Sequence, residues 1–312
     1  MLHVRRDIRE FLGQGDAIRD NQENRLLIGE CLLELKRNLW NTVPFTPNNW
    51  DEFGFKVFSQ SNEDGLIQYL ISHIEIPNKT FIEFGVDDYL ESNTRFLLLH
   101  NNWSGLVMDG SEEKMKELRE SVLGWKYDLQ AINVFITKDN INELISSRGF
   151  DQEVGILSVD IDGNDYWVWE AINCIRPYIV ICEFNPIFGS EANVSIPYKA
   201  DFYRLREHFS GLYWGASLGA YVQLGKKKGY KLVCINQLGH NAFFVREDID
   251  CSLPEAPINL AYREAKYRES RDEKGNRTFL SHKEGLKVIG DKEVVDVTDE
   301  SLKKIRDCRF VF

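Results

Sequence analysis

The stretch that decides the fold is residues 79–88, KTFIEFGVDD. Its apolar run predicts a buried strand, and Gly85 at the end of the run permits a tight turn with close approach of the backbone to a ligand. Glu83 places a carboxylate just before the turn, and Asp87 and Asp88 place two more within it. A second and a third glycine do not follow, so the turn is not the G-x-G-x-x-G fingerprint of a pyrophosphate site. The loop therefore favours a phosphate-free ligand with a cationic centre.

Apolar runs of the same kind recur along the chain and alternate with helical patterns. Further strands are predicted at 104–110, 129–137, 154–163 and 178–185, helices at 63–74, 111–123 and 138–149, and a closing hairpin at 229–236 and 241–247. Strands that alternate with helices predict a parallel sheet with helices on both faces. We therefore expect an α/β fold with a doubly wound, mostly parallel, seven-stranded sheet, in which ligands lie at the carboxyl ends of the strands.

Composition limits the class of protein. The 312 residues include 38 Lys and Arg against 49 Asp and Glu, which gives a net charge of −11. Such an acidic surface disfavours nucleic acid as a partner. No apolar run approaches the roughly 18 residues of a membrane span, and the first residues lack the apolar core of a secretory signal. Six cysteines without a C-x-x-C pair predict reduced thiols. We expect a cytoplasmic protein.

Three regions are predicted along the chain. Residues 1–50 form a helical extension, whose leucine-rich stretch 25–40 either packs on the main domain or provides a homodimer contact. Residues 51–250 hold the sheet. Residues 251–312 are densely charged and show no comparable strands, so we expect a solvated appendage without chemistry of its own.

Asp109 and Gly110 end the second predicted strand. An acidic residue more than about 20 positions after the glycine turn is placed to accept hydrogen bonds from ribose hydroxyls. The alternative is that Asp109 caps the helix that starts at Ser111, and both roles can hold in part.

The densest acidic cluster contains Asp160 and Asp162, and Glu183 ends the next strand. Alternation along a strand would put Asp160 and Asp162 on one face. Carboxylates at this place can bind a divalent cation, orient a substrate hydroxyl or act as a base. The simpler interpretation is a capped helix start at Asn164 and Asp165, but one cap does not need three aspartates. His240, in the turn of the predicted hairpin, is either a solvated histidine or a second candidate base.

Several motifs resemble one family. FSQSNEDG (58–65) resembles the S-Q-x-x-E-D-G motif of FkbM-type S-adenosylmethionine-dependent methyltransferases. FIEFGV with ESNT (91–94) is similar to the first cofactor loop of that family, and WSGLVMDG (103–110) to the second. The resemblance covers about residues 55–250, and the chain departs from the glycine-rich loop at 87–89. It implies a class I methyltransferase that transfers a methyl group to a hydroxyl of a sugar, polysaccharide or natural-product glycan.

The resemblance also implies roles for single residues. Glu83 and Gly85 would line the methionine end of S-adenosylmethionine, with Asn93 nearby. Asp109, followed by Gly110, would hold the ribose, and Asn133 would lie near the adenine.

Asp160 and Asp162 would face the transferred methyl group and the acceptor. Asp162 is the first candidate base for the acceptor hydroxyl, and His240 is the second. If Mg²⁺ or Mn²⁺ takes part, Asp160 and Asp162, with Glu183, would be its oxygen ligands.

Two other functions remain open from the sequence. Asp160-Ile161-Asp162 formally matches the D-x-D motif with which metal-dependent glycosyltransferases hold a sugar diphosphate. The missing glycines of the first loop would also fit a non-catalytic binding protein on the same scaffold.

Overall fold

A seven-stranded sheet forms the centre of the molecule in the computed structural model, which describes residues 2–150 and 153–312, with side chains from Asn21 onward. The strands are β1 (Thr80–Phe84), β2 (Ser104–Asp109), β3 (Leu129–Asn133), β4 (Ile156–Val159), β5 (Ile179–Glu183), β6 (Val194–Ser195), β7 (Tyr230–Ile235), β8 (Asn241–Arg246), β9 (Glu293–Asp296) and β10 (Leu302–Lys304). The central sheet has the order β3-β2-β1-β4-β5-β8-β7. Strands β1 to β5 are parallel, and β8 is antiparallel to both β5 and β7. The predicted fold and its closing hairpin are confirmed.

Helices connect the strands and cover the sheet. They are α1 (Leu2–Trp40), α2 (Glu63–His73), α3 (Arg95–Leu99), α4 (Glu112–Glu120), α5 (Val122–Lys126), α6 (Ile141–Ser146), α7 (Asp165–Ala171), α8 (Arg204–Glu207), α9 (Leu218–Lys228), α10 (Ile258–Ala261) and α11 (His282–Val288), with single 3₁₀ turns at Trp50–Phe53, Pro186–Phe188 and Ile305–Asp307. Strands β4 and β5 are buried along their whole length, as expected for a parallel sheet covered on both faces. Among the described residues, no helix is long and apolar enough to cross a membrane.

The predicted N-terminal helix is present as α1, and part of its leucine-rich stretch packs on the main domain. Leu33 is buried, and Leu26 and Leu32 are partly buried against the central core. Leu27 and Leu35 remain exposed. The structure therefore supports packing for one side of the helix, and the homodimer contact stays a prediction.

The region after residue 250 differs from the prediction. It contains two strands, β9 and β10, which form a three-stranded sheet with β6. Side chains of this region share a second hydrophobic core with residues 187–214, and Ile289, Val294 and Ile305 are fully buried there. The expectation of a solvated appendage without strands is wrong.

Candidate active site

A cavity of about 710 Å³ opens at the carboxyl ends of β1, β2 and β4, and this volume is typical of small-molecule sites. Its first half, the β1–β3 half, is formed by Gly85, Asp87, Met108, Asp109, Gly110, Ser111, Val134, Phe135 and Ile136. Its second half, the β4 half, is formed by Asp160, Ile161, Asp162, Asn164, Phe202, Tyr203, Arg204, Leu205, Ser210, Gly211, Glu269 and Arg271. The cavity therefore lies where an open α/β sheet binds its ligands.

Gly85 brings the backbone of the first loop against the turn after β4. Its φ is +69°, and a Cβ atom at this position would lie 1.6 Å from the carbonyl oxygen of Asp160. Only glycine can occupy this position without displacing the Asp160 carbonyl. The loop continues through Asp87, whose φ is +50° and whose amide donates to Asp109 Oδ2 at 2.9 Å. Gly85 therefore joins the two halves of the cavity.

Glu83 and Asn93 do not reach the cavity. The Glu83 carboxylate accepts hydrogen bonds from the hydroxyls of Ser92 and Thr94 and from the Asn93 amide, at 2.9 Å for the amide. Asn93 Nδ2 donates to Ser158 Oγ at 3.1 Å. Burial raises the pKa of Glu83, and its partners are all in the loop before α3. Both side chains hold that loop on β1, so the structure does not support their predicted contact with a cofactor.

Asp109 lies at the cavity with both carboxylate oxygens engaged. Oδ2 accepts from the Asp87 amide, and Oδ1 accepts from the Ser111 amide at 2.8 Å. The cap of α4 is Ser111 itself, whose Oγ accepts from the Lys114 amide. Asp109 is thus not the helix cap. A carboxylate has about four lone-pair sites, so it can still accept from a ligand hydroxyl.

Gly110 also lines the cavity, whereas Asn133 does not. Asn133 Nδ2 donates to the carbonyl oxygen of Asp109 at 3.2 Å and so supports the end of β2. The next three residues, Val134 to Ile136, line the cavity instead. Phe135 has 53% of its surface exposed there, which makes its ring the better candidate to contact a planar base.

The acidic turn after β4 is not an alternating strand. β4 ends at Val159, and Asp162 has a left-handed backbone with φ of +56°. Its Oδ1 accepts from Arg204 Nη1 at 2.7 Å, so its charge is paired. Asp165 holds the turn, since its carboxylate accepts from the amides of Ile161 and Gly163 at 2.6 and 2.8 Å. Burial raises the pKa of Asp165 to about 6. The prediction that Asp160 and Asp162 share one strand face is wrong, although both line the cavity.

Asp160 and Glu183 form a close carboxyl pair. They follow Val159 and Cys182, which are register partners on β4 and β5, so the two side chains come side by side. The two carboxyl groups interact directly with each other. Burial, and then the charge of Asp162, raises the pKa of Asp160 well above its ordinary range, and burial, and then the charge of Asp160, does the same for the pKa of Glu183. Two carboxyl groups this close cannot both be ionised at low cost, so they favour sharing a proton.

His240 does not line the cavity. Its ring is fully buried, with Nε2 at 3.0 Å from Gln60 Oε1 and Nδ1 at 3.2 Å from Asn236 Nδ2. Burial lowers the pKa of His240 to about 4, so the ring is neutral at pH 7. The structure does not support His240 either as a solvated loop histidine or as a base at the acceptor.

The FSQSNEDG stretch belongs to the same buried network. Glu63 Oε1 accepts from Asn236 Nδ2 at 2.6 Å and from Asn241 Nδ2 at 3.1 Å. Asp64 Oδ2 accepts from three successive amides, those of residues 57 to 59, at 2.7 to 2.8 Å. This motif therefore joins the start of α2 to the β7–β8 hairpin.

The carboxylates do not converge as a cation site. The Asp162 carboxylate accepts a hydrogen bond from the Arg204 guanidinium, which competes with a cation for it. Within residues 2–150 and 153–312, no group of three or more His, Cys, Asp or Glu side chains is placed to hold a metal ion. A divalent cation needs several oxygens that point at one centre. The residues present therefore do not fit the Mg²⁺ or Mn²⁺ site considered above.

No protein-family model matches the chain, and no curated protein matches it. Solved structures with a similar fold include the CurJ carbon methyltransferase, with 10% identity and a TM-score of 0.38 over 60% of this chain and 55% of that chain. The mitomycin 7-O-methyltransferase MmcR has 12% identity and a TM-score of 0.33 over 55% and 51%. A SAM-dependent methyltransferase from Aquifex aeolicus has 9% identity and a TM-score of 0.36 over 64% and 97%. The chain spans little more than half the length of the first two. At such low identities and TM-scores, these similarities do not indicate a substrate.

Sequence reasoning missed the part of the β4 half that comes from distant segments. Arg204 reaches the cavity from α8, with its guanidinium 4.9 Å from the centre of the Trp214 ring. Phe202 packs on Gly163, where a Cβ atom would lie 2.3 Å from its ring. Arg271 comes from the region taken for an appendage, and its amide donates to the Ser210 carbonyl oxygen at 3.1 Å. No local pattern marks these residues, because only the tertiary fold brings them to the cavity.

Proposed function

We propose that the protein is an S-adenosylmethionine-dependent O-methyltransferase. The observation that carries this proposal is the placement of two different acidic features around one cavity. Asp109 ends β2 and Asp160 follows β4, and both line the cavity, whereas Glu183 at the end of β5 lies behind them beside Asp160. The first suits ribose hydroxyls. The second suits removal of a proton from an acceptor.

In the proposed complex the cofactor occupies the β1–β3 half. Asp109 would accept hydrogen bonds from the ribose, and Phe135 would contact the adenine. The backbone at Gly85 would lie at the methionine end, next to Asp160. The Asp109 carboxylate disfavours a phosphate-bearing ligand by charge, whereas S-adenosylmethionine has no phosphate and carries a positive sulfonium.

Methyl transfer requires little covalent chemistry from the protein itself. The cofactor supplies a methyl group that an acceptor oxygen attacks in line. The residues of the β4 half align that oxygen, exclude water and remove its proton. We assign removal of the hydroxyl proton to Asp160, because it lines the cavity and is paired with Glu183. Asp162, the first candidate from the sequence, is less suited since Arg204 already binds its carboxylate.

A sugar hydroxyl is the proposed acceptor. The β4 half offers two ion pairs, Asp162 with Arg204 and Glu269 with Arg271, whose atoms can accept from and donate to vicinal hydroxyls. The ring of Phe202, next to Gly163, provides an apolar surface against which the flat face of a sugar can pack. This polar and aromatic mixture supports a glycan or glycoside acceptor.

Of the two other functions that the sequence leaves open, one fits the site less well and the other predicts a different experimental result. A glycosyltransferase needs Asp160 and Asp162 to hold one metal ion, but the Asp162 carboxylate already binds Arg204 and no metal-binding group of three or more side chains is present among the described residues. A binding protein without catalysis would share the cofactor site and lack turnover.

The test is isothermal titration with S-adenosylmethionine, S-adenosylhomocysteine and, as the competing ligand, UDP-glucose. We expect the first two to bind and UDP-glucose not to bind. Asp109→Asn should weaken both cofactor affinities by about 1–3 kcal/mol, the worth of hydrogen bonds to a charged group. Binding of UDP-glucose alone would support the glycosyltransferase. Cofactor binding without methyl transfer from labelled cofactor to a panel of methyl glycosides would favour the non-catalytic protein.

We also propose that the protein is located in the cytoplasm, because its cysteine pattern predicts reduced thiols. This proposal is supported by Cys182 and Cys234, which are buried in the central core, where burial raises the pKa of both thiols. We also propose a homodimer contact through the exposed side of α1, on the basis of the leucine-rich stretch 25–40.

A further inference from the structure

The Asp160–Glu183 pair has a feature that the proposed function does not explain. Glu183 has only 7% of its surface exposed, and its Oε2 is buried without a hydrogen-bond partner. Neither carboxyl group has an ion pair with a cation in the part of the chain that the structure describes. A buried carboxylate without a cation or donors is costly.

We propose that the pair holds one proton between its two carboxyl groups in the ligand-free protein, and that the positive sulfonium of S-adenosylmethionine expels this proton when the cofactor binds. The inference rests on the proposed function, because it requires that cofactor. It goes further by assigning to the pair a response to the charge of the cofactor.

The surroundings of the pair leave room for a positive charge. The titratable and charged groups that face it are Glu83 from β1, Asp162 and Asp165 from the turn and α7, Cys182 from β5, Arg204 from α8, Tyr221 from α9 and Tyr267 from the C-terminal region. Arg204 is the one cation in this set of described residues, and its guanidinium donates to Asp162 and to the Gly211 carbonyl oxygen. The balance around the pair is therefore negative, which favours the protonated pair when the cavity holds no ligand and favours a cation as ligand.

Gly85 places the ligand charge close to the pair. The backbone of Gly85 touches the Asp160 carbonyl oxygen, and both residues line the cavity. A sulfonium at the methionine end would lie next to Asp160. A positive unit charge at such short range stabilises the ionised form of a carboxyl group.

The proton balance then closes over one turnover. Cofactor binding releases one proton to solvent and leaves the pair ionised beside the sulfonium. In the transfer step the acceptor oxygen forms a bond to the methyl carbon, and the carbon–sulfur bond breaks with its electron pair on sulfur. The hydroxyl proton moves to Asp160. The neutral S-adenosylhomocysteine then leaves a pair that again holds one proton.

The experiment is titration calorimetry of the full chain at pH 7 in phosphate and in Tris, two buffers with different heats of ionisation. The dependence of the binding heat on the buffer counts the protons released. We expect about 0.3 to 1 proton per S-adenosylmethionine and less than about 0.1 per S-adenosylhomocysteine, which lacks the charge. Because the two ligands differ only in the methyl group and its charge, the wild-type comparison needs no variant.

Two variants assign the proton to the pair. The double substitution Asp160→Asn with Glu183→Gln keeps the shape and removes both carboxyl groups, so it should abolish proton release while cofactor heat remains. Glu191→Gln, the same substitution at an exposed position, should leave the release unchanged. Equal proton release with both ligands, or none with S-adenosylmethionine while it binds, would overturn the inference. Absence of cofactor binding would instead sink the proposed function, and the inference with it.

Discussion

At the scale of single residues, Gly85 gives the sharpest prediction. A Cβ atom there would overlap the Asp160 carbonyl oxygen, and the backbone has φ of +69°. Gly85→Ala should therefore lower the free energy of unfolding by about 3 kcal/mol or more, since no rotamer change relieves an overlap with backbone. Urea unfolding measures this.

Gly110→Ala is the matched control for that measurement. Gly110 lines the same half of the cavity, but a Cβ atom there would meet nothing within 4 Å. The free energy of unfolding should change by less than about 1 kcal/mol. Similar losses in the two variants would contradict the assigned role of Gly85.

Individual residues show which parts of the site the sequence could predict and which parts it could not. The tight turn at Gly85 and the placement of Asp109, Asp160 and Asp162 at a sheet edge were predictable, because strand ends and apolar runs are local features. The pairing of Asp162 with Arg204 was not predictable. It depends on the left-handed backbone of Asp162 and on Arg204, which lies 42 positions further along the chain.

At the scale of elements, the buried network between α2 and the β7–β8 hairpin predicts a pH effect. The ordinary pKa of histidine is 6.5, and burial lowers that of His240 to about 4. As the pH falls through this window, the unfolded chain binds a proton on this residue before the folded chain does. Stability that is present above pH 6.5 is therefore lost toward pH 4, by up to about 1.4 kcal/mol per pH unit.

The measurement is urea unfolding of the wild type and of His240→Gln between pH 7 and pH 4.5. The wild type should lose more stability than the variant over this range. Burial raises the pKa of Asp64 to about 6, which acts in the opposite direction, but it does so in both proteins and cancels in the comparison. Parallel pH curves would show that His240 does not titrate as described.

The length and burial of each strand explain whether the sequence could predict it. Strands β1, β4 and β5 are buried apolar runs, so hydropathy alone predicts them. Strands β9 and β10 have only four and three residues, and charged residues occupy part of each. β9 pairs with β6, about a hundred residues earlier, and β10 pairs with β9, so no local pattern records either strand.

At the scale of the whole molecule, the second core makes the C-terminal region part of the folded protein. Ile289 is fully buried in that core, whereas the neighbouring Val288 is 38% exposed. Ile289→Ala should cost about 2–5 kcal/mol of unfolding free energy. Val288→Ala should cost less than about 0.5 kcal/mol. Thermal unfolding of both variants checks this, and an equally mild effect of Ile289→Ala would mean that the region is the loose appendage suggested by its charge.

The pairing of β6 with β9 also determines the order in which parts of the cavity can form during synthesis. Strands β1 to β5 leave the ribosome first, while β6 cannot pair with β9 until β9 has been synthesised, about five to twenty seconds later at ordinary elongation rates. During that interval the β1–β3 half of the cavity can form, but the wall that contains Glu269 and Arg271 cannot. A nascent chain therefore completes the side of the cavity proposed for the cofactor before the side proposed for the acceptor.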